Sequence, residues 1–236
     1  MRLIFVLFFI TFFANAQHTI NLKISDKETA HGFSYWNKLA VSSKDTSFVL
    51  TLHPLPSNVL SLKSKGEYIF RFHSVFGDVV IKKISISKGH TAVNVSDLTK
   101  GFKKESTSKA FLKNLKLRDT VILIHSTFSD VSSSKKLPSY NKILFTKISE
   151  KEIIAVQYKD SGNEIVQQMS ISDKQYNAIV TAFENKISML QKKNTCETKE
   201  VYTVKNKNKY YSVIDSSCAW KGYDGLLAGL FMAIKP

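Results

Sequence analysis

The feature that most constrains this chain is the period-two alternation after Gly66, where Tyr68, Phe70 and Phe72 stand at a spacing of two between polar or smaller neighbours. Successive side chains of a strand point to opposite faces, so three aromatic rings on one parity require a sheet with one face buried. Gly77-Asp78 then supplies a turn, and Val79, Ile81, Ile84 and Ile86 continue on a second strand. Gly89-His90 breaks the run before Ala92-Val93-Asn94-Val95. Earlier, residues 20–24 and 48–52 alternate in the same way. Nothing in this region needs an amphipathic helix, so residues 17–98 are expected to form a small antiparallel β-sandwich.

The order Gly66-Glu67-Tyr68, alternating strand, Phe76-Gly77, second strand, Gly89, third strand resembles the back half of the prealbumin-like, carboxypeptidase-regulatory-like β-modules of secreted bacterial proteins. The likeness spans residues 60–98. The usual opening of such modules, a Thr-Gly-x-Pro-Leu stretch, is only partly imitated by Asp26-Lys27-Glu28-Thr29-Ala30. What the resemblance implies is a non-catalytic accessory domain, and it implies no ligand.

Residues 99–118 change character, being rich in Lys, Ser and Thr, and read as a basic connector with a turn or two of helix. From 119 to 236 the pattern is α+β. A buried strand is expected at 120–124, then a Ser/Lys-rich loop, then strands at 143–148, 153–158 and 164–171. Lys159-Asp160-Ser161-Gly162-Asn163 joins the last two as a hairpin. A helix is signalled at Ser172, which pairs with Gln175 as a capping box while Ile171 and Tyr176 make a hydrophobic staple. Its stripe of Tyr176, Ile179, Val180, Phe183, Ile187 and Leu190 keeps helical spacing. The chain closes with a second helix carrying Tyr223, Leu226, Leu227, Leu230, Phe231 and Ile234, in which Gly225 and Gly229 permit close approach to a neighbour. The whole is expected to be α+β: an N-terminal antiparallel β-sandwich, then an antiparallel sheet with two packed helices.

Residues 1–16 have the order of an export signal: Arg2, an apolar run over 3–13, and Ala14 and Ala16 flanking Asn15. That run falls short of the about 20 residues a membrane span needs. The expected mature chain begins at Gln17 and is secreted or periplasmic. Losing Arg2 lowers the formal net charge from +15 to +14, a balance that favours an anionic envelope component or a partner protein over nucleic acid, which is scarce outside the cytoplasm. Paired lysines such as Lys82-Lys83 and Lys192-Lys193 are scattered along the chain, as solvated surface is.

Cys196 and Cys218 are the two cysteines, and export places them where disulfides persist. Strand-like runs at 201–204 and 210–214 flank a lysine-rich stretch, and each cysteine lies eleven residues from Lys207. A hairpin folded about Lys207 would set the sulfurs opposite each other, a bridge contributing about 3 kcal/mol in the entropic model.

Signs of catalysis are few. Asp160-Ser161-Gly162 has the look of an aspartic-protease corner, but it occurs once and suits a turn. His18, His31, His53, His73, His90 and His125 are isolated, with no metal-ligand neighbour at short spacing, so no metal or other cofactor is expected. No G-x-S-x-G elbow and no glycine-rich phosphate loop occurs. The expectation is a non-enzymatic protein acting by binding, with Lys205, Lys207, Lys209, Trp220, Lys221 and Tyr223 as its candidate surface. Two alternatives stand beside it: a hydrolase acting on an envelope or extracellular polymer, with a His-carboxylate or carboxylate pair in a cleft, and an inhibitor or immunity-type protein.

Overall fold

The computed structural model describes residues 20–25, 36–44, 47–51, 57–62, 65–87, 90–94, 103–104, 112–129, 140–159, 164–189, 198–215 and 222–231. The export signal expected at 1–16, both cysteines, Trp220 and Lys221 lie outside these residues.

The described part is mostly β with two helices, and the fold is built in layers. Strands β1 (Ile20–Ser25), β4 (Ser57–Leu62) and β7 (His90–Asn94) form one sheet in the order β4-β1-β7. Strands β2 (Trp36–Ser42), β3 (Ser47–Thr51), β5 (Gly66–Ser74) and β6 (Val79–Ile86) form a second in the order β3-β2-β5-β6. All of its pairings are antiparallel. One feature departs from the antiparallel sandwich expected of this region: β7 runs parallel to β1. The chain leaves β1, lays β2 and β3 in the other sheet, returns as β4, crosses again for β5 and β6, and re-enters beside β1 only after that long crossover. A crossover of this length is what a parallel pair requires. The spacing-of-two residues behave as read, with Tyr68, Phe70 and Phe72 buried on one face of β5.

The third sheet has the order β12-β11-β10-β9-β13-β14-β8. Its strands are β8 (Lys103–Lys104), β9 (Thr120–Ser129), β10 (Tyr140–Ser149), β11 (Glu152–Tyr158), β12 (Ile165–Ser172), β13 (Thr198–Asn206) and β14 (Lys209–Asp215). Only the two-residue β8 breaks the antiparallel pattern, running parallel to β14. The hairpin expected between β11 and β12 forms, closed by the Lys159 N–H donating to the Glu164 carbonyl at 3.0 Å; residues 160–163, with the Asp-Ser-Gly triplet, lie outside the described part.

Helix α1 (Asp173–Met189) starts where its cap predicts, with the Gln175 N–H donating to Ser172 Oγ at 3.2 Å. The stripe positions Tyr176, Val180, Phe183 and Ile187 are buried. Helix α2 (Gly222–Phe231) buries Tyr223, Leu226 and Leu230. Of its two interior glycines only Gly229 meets a neighbour: a Cβ there would lie 3.2 Å from Ile179 Cγ2 on α1, while Gly225 faces open space.

Alternation along β9 and β13 directs side chains into two cores. On one face Ile124, Val201 and Tyr210 pack with Leu39, Val41, Tyr68, Phe70 and Phe72 of the four-stranded sheet. On the other, Val121, Leu123, Tyr202, Val204 and Tyr211 pack beneath α1 and α2. The seven-stranded sheet is therefore the middle layer. Part of the stretch read as a connector belongs to the second core, where Leu112 and Leu115 are buried. Side chains of α1 satisfy the Leu112 backbone: its N–H donates to Glu184 Oε1 at 2.7 Å, and its carbonyl accepts the Tyr176 hydroxyl at 2.6 Å. Burial there holds the Tyr176 phenol well above its ordinary range, and the Glu184 carboxylate adds to the effect.

Candidate functional site

Each end of the seven-stranded sheet gathers polar side chains. At the end where β9 leaves off, His125 sits on the same parity as Val121 and Leu123 and so enters the helix-covered face. Its Nε2 lies 3.3 Å from Glu200 Oε2, and the Tyr202 hydroxyl donates to that same carboxylate oxygen. A carboxylate can only accept, so Nε2 is the donor of this contact, and the other ring nitrogen is Nδ1. That Nδ1 is buried without a hydrogen-bond partner. The imidazole stacks on the Tyr223 ring at 4.3 Å and tilts against Tyr202 at 5.1 Å. Tyr223, at the start of α2, accepts a bond from Gln157 Nε2 at 3.2 Å, and Gln157 Oε1 accepts one from Gln167 Nε2 at 2.6 Å. Burial pushes the Tyr223 phenol up to about 12 despite the opposing Gln157 bond, and burial together with the Glu200 bond raises Tyr202 as well.

This is a His-carboxylate pair of the kind a hydrolase needs, with a different setting. Nδ1 of His125 is shut away from solvent, and no nucleophile bonds it in the described residues. Among those residues no group of three or more His, Cys, Asp or Glu is placed to hold a metal ion. His73, on β5, is half-buried. In the sequence His125 is one isolated histidine; the signal it carries is that of a titratable residue continuing the inward parity of an apolar strand.

At the opposite end the β13–β14 hairpin turns. The expected hairpin had a loop of residues 205–209 centred on Lys207. Instead Lys205 and Lys209 belong to the strands and pair with Tyr210 and Asn206, leaving a two-residue turn of Lys207 and Asn208. Lys207 takes the left-handed conformation there, at φ 56°. Alternation then separates the three lysines. Lys205 points into the first core, where its Nζ lies 2.6 Å from Asp78 Oδ1 and over the Phe76 ring. Lys207 is 72% exposed, with Nζ 3.1 Å from Asp119 Oδ1. Lys209 is exposed, and its Cα partner across the sheet edge is Lys103.

Asp119 closes a tight loop that ends beside this tip. The Lys116 N–H donates to Asp119 Oδ2 at 3.1 Å, and the Asp119 N–H to the Lys116 carbonyl at 2.9 Å. Arg118 is left-handed, at φ 67°, and its N–H donates to the Lys147 carbonyl at 2.8 Å. Burial works to raise the Asp119 carboxyl, but the Lys116 N–H and the Lys207 ammonium outweigh it and hold the carboxyl below its ordinary range. Lys116 and Arg118 are exposed, and Leu117 between them is 47% exposed.

Thus the candidate surface is not one patch. Tyr223 is buried at the far end of the sheet on the helix side, Lys205 is partly buried on the opposite face, and Lys207 and Lys209 alone among its described members stand at an exposed end. The cations that join them, Lys116 and Arg118, come from the stretch read as a connector. No family model, curated protein or solved structure matches the chain.

Proposed function

We propose that the mature protein is an exported, non-enzymatic binding protein that engages an anionic partner, an envelope component or an acidic protein surface, through the hairpin-tip end of its seven-stranded sheet. The observation that carries the reading is the ion pair of Lys207 with Asp119, which joins segments some ninety residues apart, with exposed Lys116 and Arg118 beside that carboxylate in the chain and exposed Lys209 two residues beyond Lys207. Exposed cations held on short, hydrogen-bonded turns attract a polyanion without first having to be ordered. The sealing of His125 Nδ1 favours binding over hydrolysis, since a general base has to reach the proton it removes. No described helix is long and apolar enough to cross a membrane.

Dextran sulfate, a lipid-free polyanion, provides the test. Wild-type mature protein should bind it with an affinity that falls as salt rises. The double variant Lys207→Gln, Arg118→Gln should lose most of that affinity while keeping its thermal unfolding midpoint close to that of wild type. Equal binding by the two proteins would refute the surface.

A further inference from the structure

Two apolar side chains stand among these cations, and a soluble polyanion has no use for them. Leu117 is 47% exposed and Ile148 45% exposed. Their backbones adjoin: the Arg118 N–H, next to Leu117, donates to the carbonyl of Lys147, next to Ile148, and the Lys147 N–H returns to the Asp119 carbonyl at 3.1 Å. Leu117 is also held outward. The backbone is tied down on both sides of it, at Lys116 by Asp119 and at Arg118 by Lys147, so the side chain cannot turn inward without breaking the loop. Single exposed leucines are common on soluble proteins; two exposed apolar residues on adjoining backbone, with exposed Lys116 and Arg118 flanking one of them, make a more particular surface.

We propose that this end of the sheet docks on the surface of an anionic lipid bilayer, with Lys116, Arg118, Lys207 and Lys209 meeting the headgroups while Leu117 and Ile148 enter the interface. The inference rests on the anionic-partner reading and names the partner's source. Charge and hydrocarbon side by side are what a bilayer surface offers, and acidic polysaccharide offers only the first. The neighbouring β10–β11 turn carries Glu150 and Lys151, both exposed, which cancel, so the attraction centres on the loop and the tip.

The experiment is co-sedimentation of the mature protein with vesicles of mixed phosphatidylglycerol and phosphatidylcholine, with phosphatidylcholine alone, and a parallel titration with dextran sulfate. Wild type should bind the mixed vesicles and not the neutral ones. Lys207→Ala should weaken vesicle binding about fivefold, the effect of one cation at a charged surface. Leu117→Asn should weaken vesicle binding about fivefold, as expected for half of a leucine leaving water, and leave dextran sulfate binding unchanged. Both side chains are exposed, so unfolding midpoints should match wild type and keep the readings interpretable. Vesicle binding that ignores Leu117→Asn overturns the inference. Binding of dextran sulfate without vesicles overturns it too, while the anionic-partner reading survives. Binding of neither removes both.

Discussion

Where β9 leaves off, Glu200 receives the Tyr202 hydroxyl and faces His125, and Gln167, Gln157 and Tyr223 bond in series beneath the start of α2. Where β9 begins, Lys207 reaches Asp119 from a side chain 72% exposed, and Leu117 stands half in water. The same middle sheet thus carries polar groups turned on one another at one end and, at the other, beside the inward pair of Lys205 and Asp78, cations turned outward. A buried polar atom has to find its partner inside the fold, so the first end constrains structure. Cations left in solvent gain little stability from their ion pairs, so those of the second end do little to hold the fold together.

The most severe way to break the contrast is alkali. Tyr223 and Tyr140 are pushed up to about 12 by burial, and Tyr176, Tyr202 and Tyr211 are raised as well. A phenol whose folded value is raised contributes stability that is complete below its unfolded value near 10 and is lost as pH climbs toward the folded one. Several kcal/mol should therefore disappear between about pH 10 and 12, and the protein should unfold cooperatively there. Tyrosinate absorbance and circular dichroism ought to change together; a gradual absorbance rise near pH 10 with unchanged dichroism would contradict the packing of these rings.

A smaller effect sharpens the sealed end alone. Glu200→Ala takes the acceptor from the Tyr202 hydroxyl and the His125 imidazole together, and should lower stability by about 1–3 kcal/mol in urea unfolding. A loss no larger than that of an ordinary surface change would mean the cluster is solvated. Smallest of all is the exposed end, where Lys207→Ala should cost under about 0.5 kcal/mol. The informative readout there is the Asp119 carboxyl in an NMR titration, which should move up toward its ordinary value once the ammonium is gone. Its lowered folded value stabilises the protein at neutral pH and loses that contribution as pH falls through it, so variant and wild type should converge in acid.

How much of this is legible along the chain differs from element to element. Ser172, Gln175 and the stripe from Tyr176 to Ile187 state helix α1 outright, because capping and amphipathic packing act between residues a turn apart. The aromatic alternation of β5 is equally plain. β2 and β4 were not read: Trp36–Ser42 shows only Leu39 and Val41 as a weak alternation, and Ser57–Leu62 is half serine and asparagine. Leu112 and Leu115 looked like stray apolar residues in a basic stretch, since nothing local tells that Glu184 and Tyr176, more than sixty residues on, will hold that backbone in the core. Nor does a run of alternating lysines show which of its members will find an acid within.

Alone, the sequence determined the elements whose signals lie within a few residues of one another: the alternating strands, the capped helix, the β11–β12 hairpin and the apolar face of α2. Only the tertiary structure decided that β7 would lie parallel to β1, that Lys205 would be drawn inward to Asp78 while Lys207 reached out to Asp119, and that His125 would meet Glu200 and Tyr223. Each of these depends on the register between strands distant in the chain, and a shift of one residue in that register sends every side chain to the other face of the sheet.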